Sequence, residues 1–292
     1  MTAGEFAEFW KIQGYRVLET ASCFRYEIRP LAWMYLPYHR LVCLSWQERA
    51  RLFVVGPAAL IRYLSPKAGA GRSGSVFLCE DRNYDLASLE HKARNQTRRG
   101  LERCRIERVD FGFLARVGTE LNFQTSQRQG RPRDIMSQSE WQRYCAAAER
   151  LADFMAWAAF CDGRLAAFAV TALIEDHYSI LWQSSATELL AAYPNNALIY
   201  TITSHALTQP RVKYVSYGLQ SVESTPGLDR FKLSMGFRLL PAQDRVEFNP
   251  LLRIPLKLGC GRLVRWIAGR RPESELWRKA TSILERDHGQ PH

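Results

Sequence analysis

The sequence predicts an α+β protein built around a mixed sheet, and three observations predict it. Two apolar runs, 154–161 and 164–174, flank Asp162-Gly163, a dipeptide suited to the tight turn of a β-hairpin. A third run, 178–185, follows the short turn Glu175-Asp176-His177, which makes a three-stranded antiparallel meander. Segments of helical period lie on both sides of it. In one of them Leu198, Ile199, Ile202 and Ala206 share a face after Tyr193-Pro194-Asn195-Asn196, where proline suits a first turn and asparagine a cap.

Bulk properties narrow the class further. The chain has 292 residues, 47% of them hydrophobic and 24% charged, the balance of a folded globular protein. No run reaches the roughly 18 uninterrupted apolar residues of a membrane span. The first residues, Met1 to Phe6, carry neither the basic flank nor the apolar stretch of a secretion signal, so a cytoplasmic protein is expected. The seven cysteines are scattered, odd in number and without a C-x-x-C pair, which argues against a disulfide framework and a zinc site. His39, His91, His177 and His205 show no metal-ligand spacing, and no metal is expected. The net charge of +11 raises the local concentration of anions such as nucleic acid, phospholipid surfaces and phosphate-bearing substrates.

Taken in order, residues 1–84 read as a small first lobe. A helix is expected over 5–13, with strands at 15–18, 24–28, 51–55 and 75–79. Pro37 marks a loop at Tyr35–Tyr38, and 67–74 reads as a linker-like loop. A second domain spans 85–249. Asp85 is a plausible N-cap for a helix over 85–103, which carries Lys92, Arg94, Arg98 and Arg99 on its polar faces. From 91 to 108 seven Lys or Arg stand against two Glu. A strand at 105–111 and helices over 113–124 and 138–153 follow, the latter capped by Ser137 or Ser139. After the meander and the 193 helix come a strand at 213–219, a helix over 228–236 closed by Gly236, and a last pair of strands in 237–248. Residues 250–292 form a basic tail.

The order of elements from 105 to 248 resembles the GNAT acyltransferase core, and particular residues sharpen the resemblance to its Fem-type, FemAB-like acetyltransferase-6 branch. Ala166-Ala-Phe-Ala-Val170 resembles the second meander strand, and Asn195-Asn-Ala-Leu198 the start of the donor-side helix. Tyr217-Gly218, Gly227-Leu-Asp-Arg-Phe-Lys232 and Met235-Gly-Phe237 resemble the C-terminal signature. The basic helix with Lys92, Arg94 and Arg98-Arg99 resembles the one preceding the second lobe, and the first lobe would then be a degenerate second GNAT-like unit. The resemblance implies a sheet opened between the strand ending near Ser184 and the one bearing Tyr217, with the acyl donor in the gap. One feature departs from ordinary acetyl-CoA enzymes: Leu190 to Asn196 lacks the glycines that let backbone N–H groups cradle a pyrophosphate. Aminoacyl-tRNA and carrier-protein donors therefore stand beside acyl-CoA, and no tightly bound cofactor is expected.

Acyl transfer needs a deprotonated acceptor, a polarised carbonyl and a stabilised leaving group, none of which requires a protein nucleophile. By the resemblance, Lys232 is the first candidate for transfer; otherwise it is a solvated lysine on an amphipathic helix. Tyr217 is placed to protonate a leaving group, although sheet tyrosines usually only pack. Gln183 and Ser184 end the third meander strand and could line the acyl pocket. Asn195 and Asn196 read as caps or as contacts to donor phosphate. Lys92, Arg94, Arg98 and Arg99 are candidates for an anionic substrate, whereas Arg128, Arg131 and Arg133 read first as a solvated loop. The 251–271 segment has six Lys or Arg, no acid and interleaved Leu, Val, Ile and Trp, which suits either peripheral contact with an anionic membrane or packing on the domain. The expected function is transfer of an acyl or aminoacyl group to an amine or hydroxyl acceptor. Its rival is a non-catalytic module that binds nucleic acid or anionic membrane through the basic helix and tail.

Overall fold

A computed structural model of the chain describes residues 1–54, 58–66, 73–130, 136–219 and 226–251. These divide into two compact units. The first comprises the described residues of 1–13, 77–218 and 227–239, and the second the described residues of 14–76, 219–226 and 240–251.

In the first unit, helix α1 (Ala3–Ile12) opens with a capping box in which Thr2 and Glu5 satisfy each other's backbone N–H groups. Strand β5 (Ser73–Cys79) contributes its Phe77–Cys79 end. Then come α3 (His91–Arg103), β6 (Cys104–Val109), α4 (Phe111–Arg128), α5 (Gln138–Glu149), β7 (Phe154–Cys161), β8 (Arg164–Ile174), β9 (His177–Ser185), α6 (Pro194–Leu207), β10 (Tyr214–Leu219) and α7 (Pro226–Ser234). The sheet order is β5-β10-β9-β8-β7-β6. The meander pairs antiparallel as the sequence predicts, and Asp162 and Gly163 both take positive φ, the turn that joins twisted strands tightly. Helices α4 and α5 pack together, with α4 against β9, and α3 and α6 pack together, with α6 against β7 and β8. The core on the α6 side is built from Leu198, Ile199, Ile202, Ala159, Ala167, Ala169, Tyr178 and Ile180, whose small strand residues let the helices approach closely. On the α5 side, Trp141, Tyr144, Phe168 and Trp182 form an aromatic cluster.

The second unit contains β1 (Val17–Glu19), β2 (Phe24–Arg29), β3 (Ala32–Leu36), α2 (Trp46–Arg51), β4 (Leu60–Pro66) and most of β11 (Arg238–Phe248), in the sheet order β1-β2-β3-β4-β11. Its core gathers Trp33, Tyr35, Ile61 and Tyr63.

Several expectations are corrected. The expected strand at 51–55 is absent from its described part: Arg51 closes α2, which Ser45 caps, and Leu52–Val54 turn away. Tyr35 and Leu36 belong to strand β3 rather than to a loop. Asp85 caps a short 3-10 turn at Leu86–Ser88, while α3 starts only after Glu90. The break is held by Arg94, which donates to the carbonyls of Leu86, Ala87 and Leu89 at 2.9–3.1 Å. The last pair of strands is one strand, β11. Its ladder to β4 begins at Ala242, so the missing N–H of Pro241 interrupts no rung of it. Cys104 and Cys161, directly opposite on β6 and β7, form a disulfide that their wide sequence spacing concealed. Most of the 67–74 loop, the tail from 252 onward, Arg131 and Arg133 lie outside the described residues.

Candidate functional site

The parallel pairing of β9 with β10 is short. Its register runs through Tyr214–His177, Val215–Tyr178 and Ser216–Ser179, and ends there. Beyond that rung β9 continues to Ser185 and β10 through Tyr217 and Gly218 without cross-strand register. The Ser179 and Ser216 hydroxyls, 2.9 Å apart, mark the apex of the resulting slot. One cause is visible in the other ladder of β9: Leu181 is an extra residue between the Trp182–Val170 and Ile180–Thr171 pairs. Such a bulge bends its strand and raises its twist, which here carries the end of β9 off the line of β10.

A chain of polar side chains lines this opening. The Tyr217 hydroxyl donates to Gln183 Oε1, Gln183 Nε2 donates to Asn195 Oδ1 at 2.9 Å, and Asn195 Nδ2 donates to Ser185 Oγ at 3.2 Å. Tyr217 is buried, and burial pushes its phenol far above the ordinary tyrosine range, so it stays protonated. Lys232, from the last turn of α7, is only 5% exposed. Its ammonium stands 4.4 Å from the centre of the Phe77 ring and 5.0 Å from that of Tyr217. It is thus a buried cation on aromatic faces and not a solvated surface lysine.

The entrance to α6 explains how the sequence manages without glycine. A 3-10 turn at Thr187–Ala192 leads into Tyr193, whose φ of 58° supplies the left-handed residue, and Pro194 fills the first helical position. No side chain caps this end, so neither asparagine acts as the expected cap. Asn195 turns to Gln183 and Ser185, and Asn196 donates to Met235 Sδ at 3.5 Å. Helix α3 crosses here at Gly100, where a Cβ would stand 2.6 Å from the Tyr193 carbonyl oxygen and 3.1 Å from Ala197 Cβ.

Comparison with known proteins decides the family. The model of an acetyltransferase (GNAT) domain matches residues 87–233, half of the chain. The chain belongs to this family. It is an acyltransferase. A search of curated protein sequences finds no match. Among solved structures, FemX is 13% identical, with a TM-score of 0.63 over 86% of this chain and 92% of that one. The C-terminal domain of a putative lysylphosphatidylglycerol synthetase from Agrobacterium fabrum is 13% identical, with a TM-score of 0.57 over 87% of this chain and 90% of that one. L-PGS from Bacillus licheniformis is 10% identical, with a TM-score of 0.54 over 83% of this chain and 87% of that one. At these identities the likeness is one of fold.

For this GNAT protein, the sequence candidates fall into two groups. Lys232, Tyr217, Gln183 and Asn195 meet at the slot. Ser184 is buried beside them but turns to α4, donating to Asn122 Oδ1 at 2.6 Å. Lys92, Arg98 and Arg99 are exposed along α3, while Arg94 is engaged with the 3-10 turn before it. Sequence reasoning missed the polar face of α4. Asn122 and Thr125 are buried there, and Arg128, placed first in a solvated loop, ends the helix and reaches β9. The available signal was three polar residues, Asn122, Thr125 and Arg128, at three-residue spacing along one helix. Among the described residues no group of side chains has metal-site composition, and no helix is long and apolar enough to cross a membrane.

Proposed function

We propose that this protein transfers an acyl or aminoacyl group directly from a carrier, either CoA, a carrier protein or a transfer RNA, to an amine or hydroxyl acceptor within the β9–β10 slot. The observation that carries this reading is the early end of β9–β10 pairing, with Tyr217, Gln183 and Lys232 at the opening. The acceptor nitrogen or oxygen attacks the donor carbonyl and loses its proton to solvent, and the carbonyl oxygen becomes an oxyanion. Lys232 supplies a fixed positive charge for that oxyanion in a site with little water, where such charge counts most. As the carbonyl re-forms, the thiolate or alkoxide leaves and takes a proton from the Tyr217 hydroxyl, which solvent replaces. No covalent enzyme intermediate is required.

The choice among donors stays within this proposal. Acyl-CoA is the usual co-substrate of the GNAT fold. The glycine-free entrance to α6 and the likeness to a lysylphosphatidylglycerol synthetase domain favour an aminoacyl carrier. The test is to incubate the full chain with a panel of acyl-CoA, acylated carrier protein and aminoacyl-tRNA, and to follow acyl loss and adduct formation by mass spectrometry. Transfer from one donor class to an added amine or alcohol is expected. Failure of every donor either to bind or to turn over rejects the reading.

A further inference from the structure

We propose that Trp46, Val54 and Leu251 form a docking surface for the headgroup layer of an anionic phospholipid bilayer. The surface is built from the second unit alone, whereas the slot residues belong to the first, so it goes beyond the acyl-transfer reading.

A single exposed apolar side chain is ordinary on a protein surface, but a group of them marks a contact. Among the described residues Trp46, Val54 and Leu251 are 77%, 81% and 76% exposed, while the other exposed large apolar side chains lie between 37% and 44%. The three are tied to one part of the second unit. Trp46 opens α2, one turn before Arg49, and Arg49 Nε meets Glu247 Oε1 of β11 at 3.1 Å. Just beyond Glu247, the Asn249 N–H donates to the Ala59 carbonyl at 2.8 Å and Asn249 Nδ2 to that of Ala58 at 3.0 Å. Leu251 follows, its N–H held by Asn249 Oδ1 at 3.0 Å. Val54 precedes Ala58 by only four residues. The helix that bears Trp46 and the strand end that bears Leu251 are therefore fastened together.

Charge names the occupant. The exposed residues between 43 and 54 include Arg49 and Arg51 and no carboxylate. Glu48 is turned inward, where its Oε1 accepts from the Ser22 hydroxyl at 2.7 Å and backbone N–H at 3.2 Å. Glu247 is buried and accepts from the Tyr63 hydroxyl at 2.6 Å. The chain leaves this surface at Leu251 into residues 252–271, a stretch with six Lys or Arg, no acid and a second tryptophan, Trp266. Apolar side chains with tryptophan among them, bordered by cations, are the composition that settles at the boundary between lipid headgroups and acyl chains. An indole suits that boundary because its body is apolar and its N–H polar. Single-stranded nucleic acid would use aromatic platforms for its bases, and the aliphatic Val54 and Leu251 offer none; an acyl boundary accepts both.

Co-sedimentation of the full chain with vesicles tests the surface. Vesicles of equal parts phosphatidylcholine and phosphatidylglycerol should bind the chain, vesicles of phosphatidylcholine alone should bind it far less, and added salt should weaken the binding. Trp46→Ser should lower partition onto the mixed vesicles about tenfold, and Trp46→Phe, which keeps an apolar ring, should retain most of it. Val54→Ser and Leu251→Ser should each lower partition as well, and they carry the test if Trp46→Ser does not fold. Phe123→Ser, the same kind of change at an exposed site on α4 of the first unit, should bind as the original chain does. No binding to the mixed vesicles overturns the proposal. Equal partition of the folded Trp46, Val54 and Leu251 variants overturns it too, because the charge of residues 252–271 then accounts for the binding. Binding to transfer RNA that Trp46→Ser weakens as much as vesicle binding would assign the surface to nucleic acid and has the same effect. Because partition is read without donor or acceptor, it can fail while acyl transfer stands, and the reverse also holds.

Discussion

The Lys232 ammonium lies 5.0 Å from the centre of the Tyr217 ring, on the strand that forms one wall of the slot. A buried lysine costs desolvation energy, which here is offset by the faces of Tyr217 and Phe77. Lys232→Met keeps the volume and removes the charge. It should lower kcat by about 10²–10³, the effect of deleting one preorganised oxyanion donor. A kcat equal to that of the original chain removes Lys232 from the chemistry.

Tyr217 leads to a different expectation. Its phenol is held protonated by burial, so it can donate a proton and does not titrate between about pH 6 and 9. Tyr217→Phe removes the hydroxyl, and with it the bond to Gln183 across the slot. The kcat should drop by about 10² or more, as for loss of a general acid, while the pH–rate profile keeps its shape. A limb that vanishes from the profile in this variant would show that Tyr217 titrates in the working range and would contradict its assigned state.

The position of the α6 entrance depends on Gly100. Its φ is ordinary, so conformational freedom is not the issue; the space for a Cβ is already occupied by the Tyr193 carbonyl oxygen at 2.6 Å and by Ala197 at 3.1 Å. Backbone must move to admit one methyl group. Gly100→Ala should destabilise the fold by roughly 1–3 kcal/mol through overpacking and shift Tyr193 and Asn195 relative to Gln183. Denaturant midpoints and donor affinity should both fall. Stability that rises, as expected for alanine in an unhindered helix, would show that α3 and α6 are free to separate.

What could be read from the residues follows a physical division. The meander, α6 and α7 were legible because each has a strong local cause: Asp162-Gly163 for the hairpin, Pro194 for a first turn, Gly236 for a stop. The elements misread in the second unit are short and decided by distant partners. Arg51–Val54 is as apolar as a strand, yet Ser45 starts a helix just before it. Tyr35 and Leu36 stay extended because β2 pairs with them up to Pro37. At the site, Lys232, Tyr217, Gln183 and Asn195 could be named through family resemblance, since their motifs are contiguous. Arg128 could not be placed, because its role depends on Ser185 and Thr187, more than fifty residues away in sequence. The slot itself has no sequence signature; it arises from a bulge at Leu181 that only the ladder with β8 exposes.

Two histidines should make stability pH-dependent, and the sign can be worked out. Burial pulls the His177 pKa below 6.5, and Lys213 adds repulsion; together these outweigh the Nδ1–H that His177 donates to Asp176 at 2.7 Å and the charges of Asp176 and Glu175, which favour the charged form. His205 packs on Trp157, receives Arg108 and Gln209 at Nε2, and is likewise held below 6.5, first by burial and then by Arg108. In the unfolded chain both titrate near 6.5. As pH falls through that value the unfolded state takes up protons that the folded state refuses, so stability is full above it and is lost below it. Asp176 does not confuse this window. Burial works to raise its pKa, but Lys213 and His177 together hold it below 3.8, so its contribution is lost only at more acidic pH. The urea midpoint should therefore fall between about pH 7.5 and about pH 5.5, and the double variant His177→Gln/His205→Gln should flatten that slope. A midpoint that rises on acidification would mean that the folded protein binds these protons more tightly than the unfolded chain, the opposite of what their burial and the neighbouring cations require.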